Sequence, residues 1–149
     1  MSNDDEVEAL CAGVGWVRPS RRARIVNSTP RIGQCYWIDF PHDAYPPEFV
    51  GEHPGVVVRA ARRLDDTCIV VPLSSTVQAS APHIHQLARN PNPRNPGITT
   101  WAVCDHLYTI HVARLRPFST RWKNVYPKVD QGDLHAIYQA IKSAMPLIP

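Results

Sequence analysis

Three hydroxyl side chains, Ser74, Ser75 and Thr76, follow directly behind the apolar run Cys68-Ile69-Val70-Val71 and the pair Pro72-Leu73. Apolar residues in such a run, two of them valines, suit a strand buried on both faces. Pro72 removes one backbone donor, which a strand tolerates at an end or an edge. A rigid strand that delivers small polar groups to its mouth holds them better than a loop does, although the same three residues are also ordinary turn formers. A second reservoir of reactive groups is His42, Asp43, Glu48, Glu52 and His53, spread over residues 41–54 among four prolines. Loops of that length in a compact domain are usually functional or mobile. A third group is His83, His85, Cys104 and His106. The His-Ile-His alternation sets two imidazoles on one face of a strand, but no second ligand pair stands at a recognised zinc spacing, so no metal is expected.

The elements that must position these groups are short. Fifteen prolines in 149 residues disfavour long helices and favour strands joined by stiff loops. With 44% hydrophobic residues the chain can build one core of ordinary size. Alternation predicts a first strand over Cys35–Phe40, a second over residues 55–61, the third at the apolar run, a fourth over 83–87 and further strands over 101–105 and 107–112. The segment 89–97, with three X-Pro steps, is irregular. A helix follows, capped by Asp130, with Asp133 in its first turn and Leu134, Ile137, Tyr138, Ile141 and Met145 on one face. Five or six strands and one helix give a mainly β chain, a small curled barrel with a helix laid against it. Residues 1–31 read as an arginine-rich N-terminal extension and 32–149 as the barrel domain.

Net charge is only +3, but Arg18, Arg21, Arg22, Arg24 and Arg31 crowd the start, and Arg59, Arg62 and Arg63 cluster later. Such patches suit a polyanionic partner, nucleic acid above all, or else a solvated surface. No apolar run approaches the ~20 residues needed to span a bilayer, and the acidic start lacks a secretory pattern, so a cytoplasmic location without membrane contact is expected. The four cysteines, Cys11, Cys35, Cys68 and Cys104, form no CxxC pair, and three of them fall inside expected strands as small apolar fillers.

Taken in order, several segments resemble the PemK/MazF (Kid-like) toxins of type II toxin–antitoxin systems: Gly33-Gln34-x-Tyr-Trp-Ile-Asp-Phe40; Glu48 with Gly51-Glu52-His53-Pro54-Gly55-Val-Val-Val; Val70-Val71-Pro72-Leu73-Ser74-Ser75; and Val103-Cys104-Asp105-His106-x-x-Thr109-Ile110 before Arg114-Leu115. The resemblance spans residues 32–145. It implies an SH3-like barrel, a homodimer and a cofactor-free, metal-independent endoribonuclease controlled by a cognate antitoxin protein. The implied reaction activates the ribose 2′-OH of single-stranded RNA against the adjacent phosphate. That chemistry needs a base, a donor to the phosphorane and an acid for the leaving oxygen.

By the same resemblance, Ser74 stands where the family has a threonine beside the phosphate, Asp105 matches an acid/base aspartate, and Glu48 matches a loop glutamate. His53, Val103 and Tyr108 stand where Kid-like members carry arginine. Arginine grips phosphate with a permanent charge, whereas histidine exchanges a proton near neutral pH. Two readings of that exchange are open. Either His53 and His106 take over, with His53 as acid or phosphate contact, Asp105 as base and Ser74 as donor, or the domain is a non-catalytic binding module, as in gyrase inhibitors of the CcdB kind. On the first reading Arg59 and Arg62 touch phosphates, Ser75, Thr76 and Glu48 line the RNA path, and Trp101 or Tyr36 stacks a base.

Overall fold

The computed structural model describes residues 26–145 and Leu147. The greater part of the arginine-rich extension, with Arg18, Arg21, Arg22 and Arg24, and Cys11 lie outside the described residues. Nine short strands run β1 Cys35–Phe40, β2 Gly51–Arg59, β3 Thr67–Ser74, β4 Ile84–Gln86, β5 Trp101–Val103, β6 Tyr108–His111, β7 Leu115–Arg116, β8 Phe118–Ser119 and β9 Asn124–Val125. A 3-10 turn, Val112–Arg114, separates β6 from β7, and helix α1, Gln131–Ala144, ends the fold.

All ladders between these strands are antiparallel, and β3 is the axis. One edge of β3 pairs with β2, while the other pairs with β6 along Thr67–Val70 and with β5 at Leu73 and Ser74. Pro72 falls in the seam between β6 and β5, so on that edge its missing donor interrupts no ladder. The sheet runs β4-β5-β3-β2-β1-β7 and ends at β4 and β7, so among the described residues it does not close on itself. The expected second strand begins earlier than the sequence suggested, at Gly51 rather than residue 55. Pro54 is tolerated there because it lies beyond the last β2–β3 pair, Gly55 with Pro72.

Alternation sends the side chains of β1 to β3 into two apolar clusters. Cys35, Val56, Val58, Val71 and Leu73 pack with Phe118, Ile137 and Ala140 under α1. Tyr36, Ile38, Phe40, Val57, Cys68 and Val70 face Ile110, Val112 and Leu115, the sheet's own later strands, so the sheet bends over one of its faces. Val26, upstream of the expected domain start, is fully buried in this second cluster. Gly55 is the point of closest approach in β2. A Cβ there would stand 2.3 Å from Ile38 Cδ1 and 3.0 Å from the Val71 carbonyl oxygen, and the carbonyl cannot swing away as a side chain can.

Helix α1 is fastened at its start and at its middle. The Asp130 side chain accepts the Asp133 N–H at 2.7 Å, which is the expected cap. Tyr138 donates its hydroxyl to the Val58 carbonyl at 2.6 Å, satisfying a backbone group where the β2–β3 register slips between Val57 and Arg59.

Cys35, Cys68 and Cys104 are buried free thiols. Burial pushes Cys35 and Cys104 up to about 12 and Cys68 to about 11, with the Asp105 charge adding to the rise at Cys104. Unfolded thiols ionise near ~8.5, so the folded state keeps protons that the unfolded state releases. The resulting stabilisation is complete below that range and is lost as pH climbs toward the folded values. We therefore expect urea midpoints to fall steadily above pH ~9, a loss of about 1.4 kcal/mol per unit of pH for each thiol in the window between its two values. At pH ~8 these three residues should resist a maleimide, as read by peptide mass spectrometry; labelling of native protein as fast as of unfolded protein would contradict their burial.

Candidate active site

The loop of residues 41–50 enters β2 through Gly51, whose φ of +71° is a left-handed turn suited to glycine. Two residues on, His53 lies opposite Ile38 of β1 and is half-buried. Phe49, just before the turn, is fixed by its N–H, which donates to the Tyr108 hydroxyl at 3.0 Å. Its ring meets the His53 imidazole edge-on, with centroids 5.1 Å apart at 85°, and the His106 imidazole in the same way, at 5.5 Å and 75°. Phe40 closes the cluster from below, at 4.8 Å from Tyr108 and 5.8 Å from Phe49. Two histidines separated by about fifty residues thus gather around one phenyl ring.

Asp105 sits in the turn that leaves β5, which is closed by the His106 N–H to the Val103 carbonyl at 3.2 Å. Its Oδ1 accepts from His106 Nδ1 at 2.9 Å, and its Oδ2 stands 3.5 Å from His83 Nε2. A carboxylate only accepts, so His106 carries a proton on Nδ1, and in the neutral ring Nε2 is the nitrogen that keeps its lone pair. This is the arrangement by which an acid orients an imidazole for proton transfer.

Ser74 ends β3 opposite Trp101 of β5, two residues beyond the last β2–β3 pair, Gly55 with Pro72. Its Oγ accepts from the Thr76 N–H at 3.2 Å and from Gln78 Nε2 at 3.4 Å. The turn reading of Ser74-Ser75-Thr76 therefore holds, and it uses the oxygen's lone pairs while the hydroxyl proton stays available to donate. Ser75 and Thr76 are exposed beside it.

Other expected residues are not brought here. Arg59 ends β2, six residues or about 20 Å from His53 at the rise of a strand, and its guanidinium reaches the Thr67 hydroxyl at 3.4 Å. Arg62 lies farther along the chain and is exposed. Glu48 is exposed, with its N–H held by the Tyr45 carbonyl in a turn at 2.8 Å. Tyr36 cannot stack a base: it is fully buried, its hydroxyl donates to Gln34 Oε1, and burial pushes it up to about 12. Trp101 is half-buried in β5. Of His83, His85, Cys104 and His106, only His83 and His106 meet, at Asp105, while His85 pairs with Asp133 at 2.8 Å and the Cys104 thiol donates to the Ala102 carbonyl. Among the described residues no group of three such side chains is placed to hold a metal ion.

Sequence reasoning gave no role to Phe49, to the Tyr108 hydroxyl or to the contact of His83 with Asp105. Arg114 entered only as part of the family resemblance, with no role; its Nη1 donates to the Asp39 carbonyl at 2.9 Å. A permanent charge therefore stands at the end of β1 that pairs with the start of β2. The signal was available only for Arg114, which lies in the run before Leu115.

No helix among the described residues is long and apolar enough to cross a membrane. No curated protein sequence matches the chain, but solved structures share its fold. MazF from Deinococcus radiodurans superposes with a TM-score of 0.62 at 16% identity, over 81% of this chain and all of that one. A mycobacterial endoribonuclease in complex with its cognate antitoxin gives 0.57 at 19% identity, over 79% and 96%. A second mycobacterial endoribonuclease gives 0.55 at 20%, over 84% and 98%. The family model for the PemK-like, MazF-like toxins of type II toxin–antitoxin systems matches residues 31–145. That span runs from the residue before β1's entry turn to the end of α1, and the chain belongs to this family.

Proposed function

We propose that the chain is a toxin endoribonuclease that cuts single-stranded RNA by 2′-OH attack, with histidines doing the proton work. The observation that carries this reading is the pair of imidazoles around Phe49, one of them backed by Asp105. His106 Nε2 takes the 2′-OH proton, and the 2′-oxygen bonds to phosphorus. The phosphorus–O5′ bond breaks as His53 protonates the leaving oxygen, giving a 2′,3′-cyclic phosphate and a 5′-hydroxyl end. Ser74 donates to a phosphate oxygen, and Asp105, expected from the sequence to be the base, instead orients His106. The curled sheet is on this reading an SH3-like barrel. The resemblance further supports a homodimer, a cognate antitoxin as partner and a location in the cytoplasm, with residues 1–31 as an N-terminal extension whose Val26 is part of the core.

The test is a labelled RNA incubated in excess EDTA. Cuts that leave 5′-hydroxyl ends, and that vanish in His53→Ala, support the reading. An absence of cutting in any RNA, with tight antitoxin binding retained, would overturn it in favour of a non-catalytic binding module.

A further inference from the structure

Between Asp66 and Asp130 the only carboxylate is Asp105, against seven arginines and lysines. Arg114 and Arg116 are engaged at β1 and β2, the latter 3.6 Å from Glu52. The other five are Arg121 and Lys123 in the β8–β9 hairpin tip, Lys128 just beyond it, and Arg89 and Arg94 in the proline-rich loop. Arg94 joins loop to hairpin by donating Nε to the Ser119 carbonyl at 3.1 Å. Arg89 and Lys128 line one cavity of about 340 Å³, but Asp130 and Asp133 line it too and offset their charge, so these two cations lie outside the strip formed by Arg94, Arg121 and Lys123. The Arg59–Arg63 cluster likewise faces Asp65 and Asp66, and Arg63 stands 3.6 Å from Asp65.

At the end of this strip stands Trp122, 82% exposed. Folding does not require it there, because the hairpin is anchored by Phe118, fully buried with its ring 5.2 Å from Trp37. The tip is nonetheless well made. Thr120 N–H donates to the Lys123 carbonyl at 2.8 Å, and Thr120 Oγ1 accepts from the N–H groups of Trp122 and Lys123 at 3.3 and 3.2 Å. The Arg121 guanidinium lies over the indole, 4.9 Å from its centroid. With so much of the ring in solvent, its other face is open.

We infer that this hairpin and the proline-rich loop form a binding strip for single-stranded RNA outside the candidate active site. One base stacks on the open face of Trp122, and Arg121, Lys123 and Arg94 follow the phosphates. An indole platform beside cations with no carboxylate among them, here Arg94, Arg121 and Lys123, is the combination that holds unpaired strands without reading their sequence. The inference rests on the nuclease reading only in naming the strand as a flank of its substrate.

The experiment measures anisotropy of a fluorescein-labelled oligouridylate with full-length protein carrying His53→Ala, so that the strand survives. Adding Trp122→Ala should weaken binding about tenfold, within the span reported for one stacked base, while Trp122→Phe keeps most of the affinity. Arg121→Gln and Lys123→Gln should each lower the slope of log affinity against log salt by roughly 0.7. Unchanged affinity in Trp122→Ala would overturn the inference, as would a loss confined to antitoxin binding. Because the tip is exposed, thermal melts of these variants should match the parent, so misfolding does not mimic the effect. If the wild-type chain cuts no RNA yet Trp122-dependent binding persists, the nuclease reading falls alone. If it cuts RNA and Trp122→Ala binds as before, this inference falls alone.

Discussion

His106→Ala is expected to slow RNA cleavage by about 10²–10⁴-fold while leaving RNA affinity within about threefold, the range for loss of a general base. The variant removes the nitrogen proposed to accept the 2′-OH proton but leaves the backbone turn at Val103, which uses only main-chain atoms. Asp105→Asn is the sharper comparison. Its amide can donate to His106 Nδ1 as readily as accept from it, so it permits the tautomer in which Nε2 carries the proton and cannot take another. We expect at least a tenfold loss there, with Asp105→Glu recovering part of it. Single-turnover rates at saturating enzyme give the measurement. Full activity in both His106→Ala and Asp105→Asn would remove the imidazole chemistry from consideration.

Asp133→Ala is expected to cost about 2–3 kcal/mol of folding stability, because it strips an acceptor from a nearly closed environment. The Asp133 side chain is 10% exposed. It accepts from the Ala88 N–H at 3.1 and 3.3 Å and from His85 Nε2 at 2.8 Å. Its place in the first turn of α1 adds a favourable alignment with the helix dipole. The alanine variant leaves the Ala88 donor without a partner and unties α1 from β4, while Asp133→Asn keeps an acceptor and should lose about half as much. Thermal unfolding should shift downward by roughly 5–10 °C for a chain of this size. A shift of less than about 2 °C would mean that the link between helix and edge strand carries little of the fold.

That link was only half visible in the sequence. Asp133 could be seen as a favourable first-turn acid, and Asp130 as the cap, because both follow from local spacing. That Asp133 also receives His85 and Ala88 depends on where β4 crosses the helix, which no local pattern encodes. Strands behaved likewise. Period-two alternation located Cys35–Phe40 without error, since both faces of that strand are dictated by packing. The start of β2 was missed because Pro54 looks like a stop until the end of the β2–β3 ladder is known. Open edges at β4 and β7 were not legible either, because closure depends on strand tilt rather than residue type. In the candidate site, His53 and His106 were identifiable by chemistry and by resemblance. Phe49, around which both rings gather, looked like any apolar residue in a proline-rich loop.

The unequal sharing of β3 has a consequence for how the molecule can be switched off. Three strands hold β3, whereas β4 is held by β5 alone within the sheet and by the Asp133 tie from outside it. The β4–β5 flap thus hangs from the rest of the sheet by two β3–β5 pairs, Leu73 with Ala102 and Ser74 with Trp101, and by the Asp133 tie. Asp105 and His106 ride on the chain leaving that flap, and His53 stays with the well-clamped half. A partner that prises the flap outward by a few ångströms would part the two imidazoles and silence the toxin, yet leave the core beneath whole and ready to re-arm.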